Sequence, residues 1–229
     1  MSGGRLPVAV AVVGLVVAMV ASFAIGTPPT TRRGDAAARS FLDAWRRSRT
    51  STFVVHSTFV RTLPDGGHLD SFVDVVQRPP DDRLVIGLGS VSGRLGGKLV
   101  RCAGAPDGTT SCVTAEEASP YDAEVASELD GLTSYLRSPR PLYRVLDFGG
   151  GHDHCFRLDL AIALPSPPYG DHALFCFDAA TGAPSLTEVQ RPEATDRTVA
   201  VTIRSQVQPD DLRIPDDRGQ VVGAPGAGG

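Results

Sequence analysis

Few side chains in this 229-residue sequence are spaced for chemistry. In "GGGHDHC" (Gly149–Cys155), His152, His154 and Cys155 are all zinc-ligand types at close spacing. Strand alternation puts both histidines on one side and Cys155 on the other, and an oxidised cysteine cannot ligate, so the pair reads as solvent-facing. "GRLGGKL" (Gly93–Leu99) looks like a phosphate loop around Lys98. However, Ser92 stands where the leading glycine is needed, and Leu99 replaces the hydroxyl residue that would hold magnesium. Asp81-Asp82 and Asp210-Asp211 sit beside prolines and read as turn residues, and His56 reads as solvent-facing. No Gly-x-Ser-x-Gly elbow occurs. The reading is of a protein without catalytic residues, metal or cofactor.

The remaining reactive side chains are four cysteines: Cys102, Cys112, Cys155 and Cys176. They allow three connectivities. Each of the pairs Cys102–Cys112 and Cys155–Cys176 brackets a local hairpin, which favours those two disulfides and an oxidising compartment. All four follow "PVAVAVVGLVVAMVASFAIG" (Pro7–Gly26), an uncharged run about as long as a membrane-spanning helix. Residues 7–26 therefore read as a signal-anchor, 1–6 as a cytoplasmic N-terminus and 27–34 as a stalk. The alternative is removal at Ser22-Phe23-Ala24 or Ala24-Ile25-Gly26, both small-residue cleavage sites. Residues 35–215 read as one globular domain outside the cell membrane, and 216–229 as a disordered tail. A net charge of −4 argues against nucleic acid as a partner. Asparagine is absent and Lys98 is the only lysine, which points to a GC-rich bacterial source.

The elements that must position these residues are mostly strands. "DAAARSFLDAWRRS" (35–48) reads as a helix, with Asp35 as N-cap and Ala38, Phe41, Leu42 and Trp45 on one face. A meander follows: "STFVVHSTFVRTL" and "HLDSFVDVVQR" flank the turn "PDGG", then come "LVIGLGSV" and "GRLGGKLVRC", with "APDG" turning the hairpin between Cys102 and Cys112. From Ser119 to Leu136 the period changes, and Val125, Leu129, Leu132 and Leu136 recur at helical spacing. Strands resume at "PLYRVLDF" and continue to a final "DLRIP".

"CFRLDLAIALPSPPYGDHALFCF" (Cys155–Phe177) carries the strongest apolar pattern. Phe156, Leu158, Leu160, Ile162 and Leu164 share one strand face. Because two helices cover only part of a wide, glycine-bent sheet, these five residues and the leucine face of the second helix are expected to line an apolar cavity.

The order of helix, meander, central helix and further strands resembles the LolA-type half-barrel of bacterial lipoprotein carriers. It is also similar to actinobacterial lipid-binding envelope lipoproteins of that fold. "FCFDAATGAPSLTEVQR" resembles the family's strand–turn–strand, with Asp178, Thr181, Gly182 and Pro184 in its Asp-x-x-Thr-Gly-x-Pro turn. "VTIRSQVQPDDLRIP" resembles the closing strand and docked Leu-x-x-Pro segment. The resemblance spans Asp35 to Pro215. It implies an α+β fold, a strongly curved antiparallel sheet forming an open half-barrel with one N-terminal and one central amphipathic helix, and a non-catalytic protein that binds an apolar or lipid-like ligand. The alternative is an envelope regulatory or scaffolding domain that binds a protein partner. The family's lipidation cysteine is absent.

Overall fold

The computed structural model describes residues 31–87, 89–104, 110–114 and 118–214. The expected signal-anchor, most of the stalk, the "APDG" turn and the tail lie outside these residues. No helix among the described residues is long and apolar enough to cross a membrane.

Among the described residues, every strand joins one open antiparallel sheet. In chain order the elements are β1 (Thr31–Arg33), α1 (Asp35–Thr50), β2 (Phe53–Thr62), β3 (His68–Arg78), β4 (Asp82–Gly87), β5 (Ser90–Leu95), β6 (Lys98–Gly104), β7 (Thr110–Thr114) and α2 (Tyr121–Arg137). There follow β8 (Tyr143–Phe148), β9 (Asp153–Leu160), β10 (His172–Asp178), β11 (Pro184–Arg191), β12 (Ala194–Arg204) and a 3₁₀ turn (Pro209–Leu212). The twelve strands are ordered β1-β8-β9-β10-β11-β12-β2-β3-β4-β5-β6-β7. The expected curved, open sheet with two helices is present.

Four local readings change. "LVIGLGSV" and "GRLGGKLVRC", each read as one strand, are divided among β4, β5 and β6, because β4 ends at Gly87 and β5 at Leu95. Thr31–Arg33, assigned to the stalk, pairs with β8 and becomes an edge strand. Gly34, at φ 72°, caps α1 in place of Asp35. Asp35 is instead the first helical residue and pairs with Arg39 and, at 2.7 Å, with Arg137 at the end of α2. The last segment, read as a strand, is the 3₁₀ turn with Ile214 behind it, because Pro209 presets a turn and Gln208 and Asp211 cap it reciprocally.

The sheet has a core on each face. On the helix face, Phe41 and Leu42 of α1 and the α2 residues Val125, Leu129, Leu132 and Leu136 pack on side chains from β8 to β11. On the outer face, Leu84, Val91, Leu95 and Val100 of β4–β6 are buried with Cys102 under Leu212 and Ile214 of the C-terminal segment. Arg204 fastens that segment to Asp211 at 2.7 Å. Both disulfides are present, Cys102–Cys112 across β6 and β7 and Cys155–Cys176 across β9 and β10. Each joins directly opposed residues of a hairpin, the relation read from the sequence.

Candidate functional site

The apolar stripe is closed core where it is a strand. Phe156 and Leu158 are fully buried and Leu160 packs beside them. The aromatic ring of Phe41 meets Phe156 edge-on at 5.4 Å between centroids. Val125, Leu129, Leu132 and Leu136 belong to the same cluster, so seven of the nine expected lining residues do come together. They meet as packed side chains. β9 ends at Leu160, so Ile162 and Leu164 fall in the following loop, 42% and 43% exposed. The reason is the proline-rich turn: Leu160 N–H already bonds to Asp171 O, and Ala161 N–H turns to Leu142 O.

The helix face is uncovered elsewhere. A trough of about 200 Å³ lies over β2, β3, β11 and β12, and none of its lining residues belongs to either helix. Its floor follows from register. Val55 opposes Val75, Ser57 opposes both Val73 and Ala200, and Thr198 opposes Thr187. Directly opposed residues share a face, and on the same face Gln77 donates to Ser48 O of α1 and to Ser51 O just after it, at 2.6 and 2.8 Å. The surface is therefore apolar with a few hydroxyls. The hydroxyl of Ser185 is buried at its wall with no hydrogen-bond partner among the described residues.

Charge marks both ends of this strip. Toward the β2–β3 turn, Arg61 grips Asp196 through two bonds of 2.6 and 2.7 Å, and Arg191 adds a third at 3.1 Å. The Arg61 guanidinium holds the Asp196 carboxyl below the usual carboxylate range. At the other end, under the helices, stand Gln77 of β3 and Arg83 of β4, directly opposed. Burial, then the neighbouring Arg49 charge, pushes the Arg83 guanidinium below its ordinary range.

A second cavity, of about 280 Å³, lies between α1 and the turn after β10. Its polar lining is already satisfied within the protein. Arg47 donates to Ala179 O and Ala180 O, both at 2.9 Å, and Asp178 accepts from Thr181 N–H and Oγ at 2.7 and 2.6 Å. His154 Nε2 lies 2.7 Å from Asp147, a carboxylate on the helix face buried to 1% exposure. This cavity reads as the seam where the Asp-x-x-Thr-Gly turn meets α1. Of the histidines weighed as ligands, His154 is committed to Asp147. Among the described residues no three His, Cys, Asp or Glu side chains are grouped to hold a metal.

Sequence reasoning located the helix-packed half of the face and missed the trough. Its lining comes from strands more than a hundred residues apart, and only the alternation of "TFVVHSTF" and "FVDVV" hinted at it.

No family model matches the sequence, and no curated protein matches it. Solved structures do. A LolA superfamily protein, NE2245 from Nitrosomonas europaea, matches at 11% identity and TM-score 0.32, over 76% of this chain and 96% of its own. MucB in complex with MucA(peri) matches at 16% identity and TM-score 0.41, over 81% of this chain and 62% of that one. LprF from Mycobacterium bovis matches at 10% identity and TM-score 0.31, over 77% and 97%. The likeness is one of fold. At TM-scores below 0.5 it decides nothing about what is bound.

Proposed function

We propose that this chain is a membrane-anchored binding protein of the cell envelope that seats an apolar or lipid-like ligand in the β2–β3–β11–β12 trough, without catalysis. The observation that carries this is the partly open strip of helix face lined by Val73, Val75 and Ala200, with the buried Val55 beneath it. An apolar strip left unfilled inside a curved sheet is what an acyl chain can cover. Residues 7–26 supply the anchor, and the two disulfides suit a globular part outside the cytoplasm.

The trough also limits the ligand. At roughly 30 Å³ per water-sized group it holds six or seven methylenes. Their burial contributes about 5 kcal/mol at about 0.8 kcal/mol each, which association costs of about 4–15 kcal/mol largely offset. That volume suits a single short chain or the end of a longer one.

The test is titration of the full chain, held in amphipol, with a fluorescent fatty-acid probe, alongside native mass spectrometry for co-purified lipid. Saturable binding and a retained lipid are the expected results. The closed packing around Phe156 and Leu158 favours a second reading, an envelope regulatory or scaffolding domain with a protein partner, because the strongest apolar stripe is spent on the protein's own core. Absence of both probe binding and retained lipid would select it.

A further inference from the structure

Among the described residues, the arginine cluster next to the trough carries more positive charge than the carboxylates around it neutralise. Arg49 of α1 and Arg94 of β5 are each 6% exposed, and their guanidiniums lie on Tyr121 of α2, each 5.5 Å from the ring centroid. Arg49 pairs with Glu124 and Glu128, both at 2.7 Å, and Arg94 shares Glu124 at 3.1 Å and donates to Ser119 O at 2.6 Å. Arg83 joins them from β4, directly opposite Arg94. Among the described residues, its guanidinium makes one hydrogen bond, from Nε to Gln77 Oε1 at 3.2 Å, which leaves both terminal nitrogens without a partner.

Among the described residues, then, three guanidiniums face two carboxylates. The donors Arg49 Nη1 and Arg94 Nε are sealed from solvent with no hydrogen-bond partner among the described residues. An interior charge is costly unless it is paired, and a buried guanidinium N–H without an acceptor adds to that cost. Glu124 and Glu128, 42% and 35% exposed, keep this cluster close to solvent.

Register ties the cluster to the trough. Val75 of the floor opposes Val85, and Arg83 is the next residue on that face of β4, about 7 Å along the strand. A chain lying along Val73 and Val75 points along β3 toward Gln77 and, directly opposite it on β4, Arg83.

We propose that Arg83, with Arg49 and Arg94 behind it, receives an anionic group, a carboxylate or a phosphate, so that the bound molecule is an acidic amphiphile with its charged end inward. This rests on the trough reading above and names the class of its ligand. A guanidinium is suited to both groups because its planar fork of N–H donors matches two oxygens at once. It also supplies the polar anchor that a chain of six or seven methylenes needs.

The experiment uses the full chain in amphipol and displaces a fluorescent fatty-acid probe with decanoate, decyl phosphate and decanol. In the wild type the two acids should displace it at least tenfold more tightly than decanol. Arg83→Gln should bring the acids to the level of decanol and leave decanol unchanged, which also shows that the variant keeps its trough. A thermal shift with inorganic phosphate alone separates the sources. Stabilisation of the wild type that is lost in Arg83→Gln means the cluster takes the free anion as well; no shift beside tight decyl phosphate binding means it takes a headgroup. Equal displacement by acids and decanol in the wild type, or an acid preference that survives Arg83→Gln, would overturn the proposal while leaving the trough intact. If no amphiphile binds, the trough reading fails, and the phosphate arm alone decides whether the cluster is an anion site.

Discussion

Two tryptophan substitutions separate the trough from the core by the sign of their effects. Leu158 is fully buried in β9, against α1 and the aromatic rings of β10. Val73 is partly exposed on the same face of the sheet, in β3, and lines the trough. Leu158→Trp forces an indole into filled space, and such overpacking costs about 1–3 kcal/mol. For a domain of this size each kcal/mol moves Tm by about 2–4 °C, so the drop should be about 2–12 °C. Val73→Trp instead projects its ring into about 200 Å³ of open space. Its stability should stay within about 0.5 kcal/mol of wild type, as for a surface change, while affinity for a fluorescent fatty-acid probe falls at least tenfold. Differential scanning fluorimetry and probe titration on the same preparations read both quantities. The assignment of the trough as a ligand seat would be refuted if Val73→Trp destabilised as much as Leu158→Trp, or if it left probe affinity unchanged.

Other substitutions test the supports of the fold. Leu129→Asp places a carboxylate in the α1–α2 core, where Leu129 is 8% exposed, and should lower the urea midpoint by the equivalent of several kcal/mol. Gly93→Ala meets a closed door: at φ 145° an added Cβ would sit 1.9 Å from Arg83 O, so the variant should be severely destabilised, with the loss read by circular dichroism melting. Replacing Cys155 and Cys176 together by serine removes a cross-link 21 residues apart and should cost about 3 kcal/mol, while non-reducing peptide maps of the wild type show that pair and Cys102–Cys112. Asp196 has its folded pKa depressed by Arg61, so its contribution is present above the unfolded value of about 3.9 and lost as pH falls through the lower folded value. Asp196→Asn should therefore lower Tm at pH 7, by the equivalent of about 0.5–1 kcal/mol for a half-exposed pair, and the difference from wild type should begin to shrink below about pH 3.9 and disappear only once the pH is below the lower folded value.

What could be read in the sequence was whatever depends on neighbours in the chain. Both helices, the hairpins and both disulfides rest on local spacing: three-to-four recurrence in Phe41, Leu42 and Trp45, or cysteines bracketing a turn. Pairing across distance left no such mark. Thr31–Arg33 looks like a stalk because nothing in three residues announces β8 as its partner. Arg49 and Arg94 look like ordinary surface arginines, since the turn that brings Tyr121 between them lies more than seventy residues from the first. The stripe misled for a related reason. Alternation shows that one face of β9 is buried and is silent on whether a ligand or the protein's own helix buries it.

Simple dimensions explain which strands the helices reach and why a strip is left over. Strands lie about 4.8 Å apart, so twelve of them span roughly 53 Å along the sheet. Two helices packed side by side, each about 10 Å across, cover roughly 20 Å, or four strands. The helix-face core draws on four: β8, β9, β10 and β11. The far strands β4–β6 are not left bare, because Leu84, Val91, Leu95 and Val100 turn to the outer face, where Leu212 and Ile214 bury them. Between these two cores lie β12, β2 and β3. Their helix face keeps only the small cluster of Phe53, Val55 and Ala183, with Val75, Ala200 and Ile203 packed against it. The trough therefore falls where neither cover extends, and its position is a consequence of having two helices and one C-terminal segment for a twelve-stranded sheet. Adding cover would close it. The β-branched residues Val73 and Val75 that line it have restricted rotamers without helix packing, which keeps the surface in place.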